Sequence, residues 1–391
     1  MTRTPATIAS LAAIALSVAA CGSYGLVEVT PFGAAAYEPS VAVFRDGLAV
    51  AWYDTRSGHG ELYEQSLDAE GQFTGTEVRL TKSMGDAFEA DIHAVESPAG
   101  DGFAVGWYEK AADGSFSSHL GLWSRTGTAR WTKTLSTRGR NTVARVNGEF
   151  VFAAWVEDEI EPAAGVWTGW WNLRGETVVP PRRIADAGRR TFNLNAALSD
   201  SADGAVPAAL VVFDATVRTK AAELYLAEDD GQHAQVTRLT PDDGFASIYP
   251  DLALSGSRAA VTWFDARDGN EEIYLRVAAR PDLARPDSLG GTRVTSTKGR
   301  SIGAYTAWNG DRLGLAWCDD TTGQYEIYFA EFDGAGTPHG ASRQLTQTRA
   351  GSLIPSIHPW RTGFVLGWNE YEGTSDHDPG GRSQVLLRMI P

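Results

Sequence analysis

Three stretches decide the reading: AWYDTRSGHGELY at 51–63, TWFDARDGNEEIY at 262–274 and AWCDDTTGQYEIY at 316–328 align without a gap. Weaker copies are GWYEK (106–110), AWVED (154–158), VVFDA (211–215) and GWNEY (367–371). The shared column is Trp52, Trp107, Trp155, Val212, Trp263, Trp317 and Trp368, at spacings of 55, 48, 57, 51, 54 and 51 residues. Two positions after each stands an acid: Asp54, Glu109, Glu157, Asp214, Asp265, Asp319 and Glu370. A self-similar period of this length marks a repeat architecture.

Each repeat reads as a four-stranded antiparallel sheet. Alternating apolar runs such as Leu48-Ala49-Val50-Ala51 lead into the Trp column. Ahead of five of them stands Asp46-Gly47, Asp101-Gly102, Asn147-Gly148, Asp203-Gly204 or Asn309-Gly310, dipeptides typical of two-residue hairpin turns. A third strand carries Leu62-Tyr63, Leu224-Tyr225, Ile273-Tyr274 and Ile327-Tyr328. A fourth ends in Leu80-Thr81, Leu239-Thr240, Val294-Thr295 and Leu345-Thr346. The last repeat stops at Pro391 after three strands, while Leu26-Val27-Glu28-Val29-Thr30 matches the threonine-ended fourth. The expectation is an all-β, seven-bladed β-propeller over 21–391, a monomer closed by its N-terminal strand. Blades start near 39, 90, 141, 194, 250, 303 and 355, and 26–30 completes the last.

Composition limits function. The 391 residues hold 34 Lys+Arg against 49 Asp+Glu, a net charge of -15, which opposes nucleic-acid binding because phosphates need a basic face. Thirteen Trp, 12 Tyr and 15 Phe require a packed core. Two cysteines, Cys21 and Cys318, leave no disulfide framework and no Cys-rich zinc site. No phosphate loop, G-x-S-x-G or H-E-x-x-H string occurs, and no cofactor is expected.

The first 20 residues carry Arg3 and then an apolar run from Ile8 to Ala20, too short to span a bilayer as a helix. Val18-Ala19-Ala20-Cys21 resembles the bacterial lipobox. That resemblance implies a cleaved signal peptide, lipid on Cys21 and a membrane-anchored lipoprotein of the cell envelope. Gly22 favours the outer membrane, with the protein facing the periplasm or the cell surface.

The pattern W-x-D-x-R-x-G-x-x-E-I-Y, best kept at 263–274, resembles the repeat of bacterial sialidase-like (BNR/Asp-box-related) propellers. The Asp-box survives only in degenerate form at 66–73, and no Arg-Ile-Pro string occurs. The resemblance therefore implies the fold rather than the hydrolase. On architecture and lipid anchor alone, the chain is also similar to the propellers of the Tol–Pal and barrel-assembly systems.

The repeat acids are expected to cap their own hairpins and the Trp column to pack between blades. Chemistry is expected where blades differ, at the entrances of the innermost strands. Aligned there are Glu38, Glu89, Arg140 and Asn193 with Tyr249. Two positions on come Asp91, Asn195 and Asp251, and two more bring His93 and His358 into an otherwise small column that includes Ala144 and Thr306. These ten residues form the candidate axial mouth, read as a non-catalytic binding or scaffold site for a protein or carbohydrate. Four acids against one arginine favour an electropositive partner or a cation over an anionic glycan. Glu89 and Asp251 are taken as surface positions. The alternative is a sialidase-like glycoside hydrolase using those two carboxylates. Trp167, Trp170 and Trp171 form either lateral packing or an exposed aromatic patch. Asp376-His377-Asp378 is a lesser candidate for a cation.

Overall fold

A computed structural model describes residues 25–157, 165–188, 191, 193–200, 205–283, 285, 291–372 and 382–391. Cys21, Asp203-Gly204 and Asp376-His377-Asp378 lie outside them. The chain forms seven four-stranded antiparallel sheets, and in six of them the strands follow chain order from the axis outward. The innermost strands are Ala36–Phe44, Asp86–Val95, Gly139–Asn147, Leu194–Leu198, Ser247–Ser255, Ser301–Asn309 and Gly351–Trp360, each packed on the next around a closed ring. The architecture is a seven-bladed β-propeller.

The seventh sheet breaks chain order in the way the sequence implies. Its outer strand is Leu26–Glu28, paired antiparallel to Arg382–Ile390 with Leu26 opposite Arg388 and Glu28 opposite Leu386. Beyond that ladder, the Val385 N–H donates to Thr30 Oγ1 at 2.8 Å. Thr81, Thr240, Thr295 and Thr346 receive the N–H groups of Leu62, Leu224, Ile273 and Ile327 in the same way, at 2.8–2.9 Å. Thr30 thus plays the part of a fourth-strand threonine, 355 residues away from its partner.

The repeat motif builds the blade. All seven members of the Trp column are buried, and Trp52, Trp263 and Trp317 stack on Tyr63, Tyr274 and Tyr328 at 5.7–6.3 Å. Asp54 and Asp265 accept the backbone N–H of Arg56 and Arg267 at 2.7 and 3.0 Å, and those guanidinium groups lie over the same tyrosines. Asp54, Asp265 and Asp319 thus close their own turns as Asx residues, whereas Glu109, Glu157, Asp214 and Glu370 take their bonds from other positions. The glutamate before each tyrosine is buried too. Glu272 takes bonds from Thr295, Arg293 and the Thr297 N–H at 2.5–3.0 Å. Trp170 and Trp171 are buried, with Trp170 edge-on to Phe152, and Trp167 stacks on Trp155. The tryptophan cluster of blade three is lateral packing and not an exposed patch.

Three turns differ in position from the sequence reading. Asn147 pairs with Phe150 and Asn309 with Arg312, so the turns are Gly148-Glu149 and Gly310-Asp311, with positive φ at the glycine. In blade one Phe44 pairs with Gly47, which sits inside the strand. Glycine is required at position 47 because a Cβ would lie 2.1 Å from the Leu67 carbonyl oxygen.

The buried glutamates differ in charge state. At Glu61 burial opposes ionisation, but bonds from Thr81, Arg79 and the Ser83 N–H outweigh it and hold the carboxyl below its ordinary range. At Glu223 burial wins and pushes the carboxyl up to about 7, with one bond from Thr240 and two aspartates nearby. A folded-state value raised above the unfolded one contributes stability below about pH 4.5, and this is lost as pH rises through about 7. Glu223→Gln should therefore stabilise the protein at pH 8 by on the order of 1 kcal/mol and change little at pH 5. Thermal melts of both proteins at the two pH values check this.

Candidate functional site

The innermost strands enclose an axial cavity of about 1030 Å³. Nine of the ten expected residues line it: Glu38, Glu89, Asp91, His93, Asn193, Asn195, Tyr249, Asp251 and His358. Arg140 does not. Its guanidinium donates to the Thr191 carbonyl at 3.0 Å and to Asn141 Oδ1 at 3.2 Å.

The displacement of Arg140 follows from strand register. In six blades the pairing of the first two strands shifts at the entrance, as between Tyr37 and Ser40 or Ile248 and Asp251. Each shift is a bulge that leaves two residues unpaired. Blade four runs without one. The first bulge residue takes positive φ: 53° at Glu38, 49° at Glu89, 50° at Asn141, 54° at Tyr249 and 60° at Gly303. Blade three thus presents Asn141 where the sequence alignment put Arg140. The slip also corrects the deeper column. The residues level with one another are Ala42, His93, Arg145, Leu198, Ala253, Ala307 and His358. The expected Ala144 gives way to Arg145. Counting ten residues back from the Trp column, as from Trp155 to Arg145 or from Trp368 to His358, would have found it.

Arg145 organises one side of the channel. Its guanidinium donates to Asp91 Oδ2 at 2.5 Å, to the carbonyls of Ala144 and Ala196 at 2.6 Å, and to Asn195 Oδ1. Asp91 Oδ2 also accepts the Ala144 N–H at 2.7 Å. Asn195 donates to Asp251 Oδ1, and Asp251 Oδ2 accepts the Thr306 N–H at 2.7 Å. On the other flank, the Ile92 N–H donates to Ser40 Oγ at 3.2 Å. These bonds bind each blade to the next from one to six. Asp91, Asn195 and Asp251 are interblade staples, and Asp251 is buried rather than a surface position. Burial raises its carboxyl to about 6.

The remaining sector, across blades seven, one and two, has a different character. Glu89 accepts the Tyr108 hydroxyl at 3.2 Å, and burial followed by the charges of Glu89 and Glu38 raises that phenol well above its ordinary range. Tyr37, Tyr53, Phe88, Tyr108 and Phe116 form a continuous run of ring contacts across blades one and two, at 5.2–5.8 Å. Across the mouth Tyr249 stacks on Phe264 at 5.4 Å and remains 39% exposed. Below the mouth lie the two histidines. Burial, then the charge of Arg145, lowers His93 to about 4. Burial, then His93 and Arg145, lowers His358 to about 3. Both are neutral at physiological pH. Cys318 is a buried thiol on the cavity wall. Among the described residues, no three His, Cys, Asp or Glu side chains are gathered as a metal ion would need.

Five carboxylates and two arginines line the cavity, and both arginines are matched, Arg145 by Asp91 and Arg300 by Glu271. An anionic ligand would meet the wrong sign.

No family model matches the chain, and no curated protein sequence matches it significantly. Solved structures do. A PL25 ulvan lyase bound to -[GlcA(1-4)Rha3S]- superposes with a TM-score of 0.59 at 10% identity, covering 90% of this chain and 94% of that one. The polysaccharide lyase Uly1 gives 0.55 at 8% identity, covering 90% of each. At such identities the likeness is one of fold.

The staples make a stability prediction. Asp251→Ala removes the acceptor of the buried Thr306 N–H and a partner of Asn195, and should cost about 2–4 kcal/mol. Denaturant unfolding of the variant measures the loss.

Proposed function

We propose that this protein is a carbohydrate-binding propeller, tethered to the bacterial envelope by lipid on Cys21, that seats an uncharged or basic glycan at the bulged mouth of its axial cavity. The observation that carries the reading is backbone strain at that mouth. Glycine relieves a positive φ at little cost, and Gly303 does so in blade six. Blades one, two and five instead hold Glu38, Glu89 and Tyr249 in the same conformation, at a cost of order 1 kcal/mol each. Two carboxylates and an exposed aromatic ring are groups that hold sugar hydroxyls and a sugar face.

Cavity size supports the reading, being at the upper end of the ~300–1000 Å³ of small-molecule sites and open to a chain. The lyase likeness supports it at the level of fold alone. The charge argues that a polyuronate or sulfated glycan is not the ligand here. Tethering rests on the lipobox at 18–21. Cys21→Ser should move the protein from the membrane to the soluble fraction, and unchanged partition would end that part of the reading.

Calorimetric titration with cellohexaose, mannohexaose, chitosan hexamer and an oligogalacturonate tests the rest. At least one of the first three should bind and the last should not. Tyr249→Ala should weaken binding about three- to tenfold, the range expected for loss of one aromatic contact. Turnover of any of these glycans, abolished in Glu89→Gln, would replace binding by catalysis.

A further inference from the structure

The staples do not circle the whole channel. They run from blade one through blade six, and they occupy Asp91, Arg145, Asn195 and Asp251 with one another. Across blades seven, one and two, the level of Arg145 is held by His358, Ala42 and His93. Ala42 is buried in the core between blades and does not reach the cavity, so in this sector the two imidazoles alone line it at that level. His93 uses one ring nitrogen on the Ala94 carbonyl at 3.2 Å. Among the described residues, the other nitrogen of His93 and both nitrogens of His358 have no protein partner. Both rings line the cavity, among Pro39, Ser40, Ile92, Ser356 and Ile357.

We infer that the half-channel between His93 and His358 is the specificity subsite, and that it takes a pair of adjacent hydroxyls of a glycan ring. This rests on the carbohydrate reading above and names what that site selects. His93 spends its single N–H on the Ala94 carbonyl and is left with one bare acceptor, whereas neutral His358 keeps both an N–H and an acceptor. Together the two rings can accept from one sugar hydroxyl and both donate to and accept from its neighbour, which matches a vicinal diol. Burial keeps both rings neutral, so neither supplies the positive charge a carboxylate or sulfate would need. Arg145 lies on the same level but is already bonded to Asp91 and Asn195. The opposite wall has no equivalent pair of free ring nitrogens, and Ala253 and Ala307 hold that level there.

The test uses the mature chain and the stronger binder of cellohexaose and mannohexaose, whose inner rings carry adjacent free hydroxyls at C2 and C3. His93→Ala and His358→Ala should each weaken binding about tenfold or more, with melting temperatures close to the parent. His358→Gln, whose amide retains a donor and an acceptor, should recover much of the loss. Tyr305→Phe, on the far wall, should bind as the parent does. A 2,3-di-O-methylated version of the same oligosaccharide separates the diol from the ring as a whole, and methylation should abolish the histidine dependence. If the glycan binds but both histidine variants and the methylated ligand behave normally, the subsite is wrong while the carbohydrate reading stands. If chitosan hexamer alone binds, the diol subsite is wrong while the carbohydrate reading stands; if none of cellohexaose, mannohexaose and chitosan hexamer binds the parent protein, the carbohydrate reading fails and takes the subsite with it.

Discussion

The pairing of Leu26–Glu28 with Arg382–Ile390 is the contact on which the rest of the structure depends. Seven sheets arranged about an axis each bury both faces against their neighbours, so none is complete until the ring is shut. A seventh blade with only its C-terminal three strands would leave the Arg382–Ile390 edge open, the kind of edge that natural β-proteins avoid. Closing it with the N-terminus ties the two ends of the chain together. The core of blade seven confirms the dependence, since Val27 and Val29 pack on a cluster that includes Trp52 of blade one and Val385 and Leu387 of blade seven. The axial cavity exists only because this closure holds the seven innermost strands in a circle.

Within the ring, charge does structural work at two radii. Toward the middle of each blade, buried carboxylates such as Asp265 and Glu272 are satisfied by arginine, threonine and backbone N–H groups of the same blade. Near the axis, Asp91, Arg145, Asn195 and Asp251 connect blade to blade. Much of the negative charge visible in the composition is therefore already committed. The sector of blades seven, one and two is built differently, with the Glu89–Tyr108 bond and two neutral histidines in place of the interblade staples.

The fold was legible because repetition multiplies a weak local signal. One W-x-D string says little, whereas seven at near-constant spacing define blades, and a missing fourth strand points to its substitute at Leu26–Thr30. The site was legible in part. Glu38, Glu89, Tyr249 and the two histidines were found because they interrupt columns of small or repeated residues. Arg145 was missed because the entrances of blades three and six were set one residue early, at Arg140 and Ile302 instead of Asn141 and Gly303, while blade four lacks the bulge altogether. The structural duty of Asp251 was hidden for another reason. Its partner, the Thr306 N–H, belongs to the next blade 55 residues on, and a backbone donor leaves no mark on residue type.

Amide hydrogen exchange at Val385–Arg388 tests the closure most directly, compared between the mature chain and a chain lacking residues 25–30. These amides face either the Leu26–Thr30 strand or the inner ladder of the same sheet. The account predicts strong protection in the mature chain. In the shortened one, protection should collapse across blade seven and spread to blade one, with a large fall in melting temperature. Equal protection and equal melting in the two proteins would contradict it, and would mean that three strands suffice to close the ring.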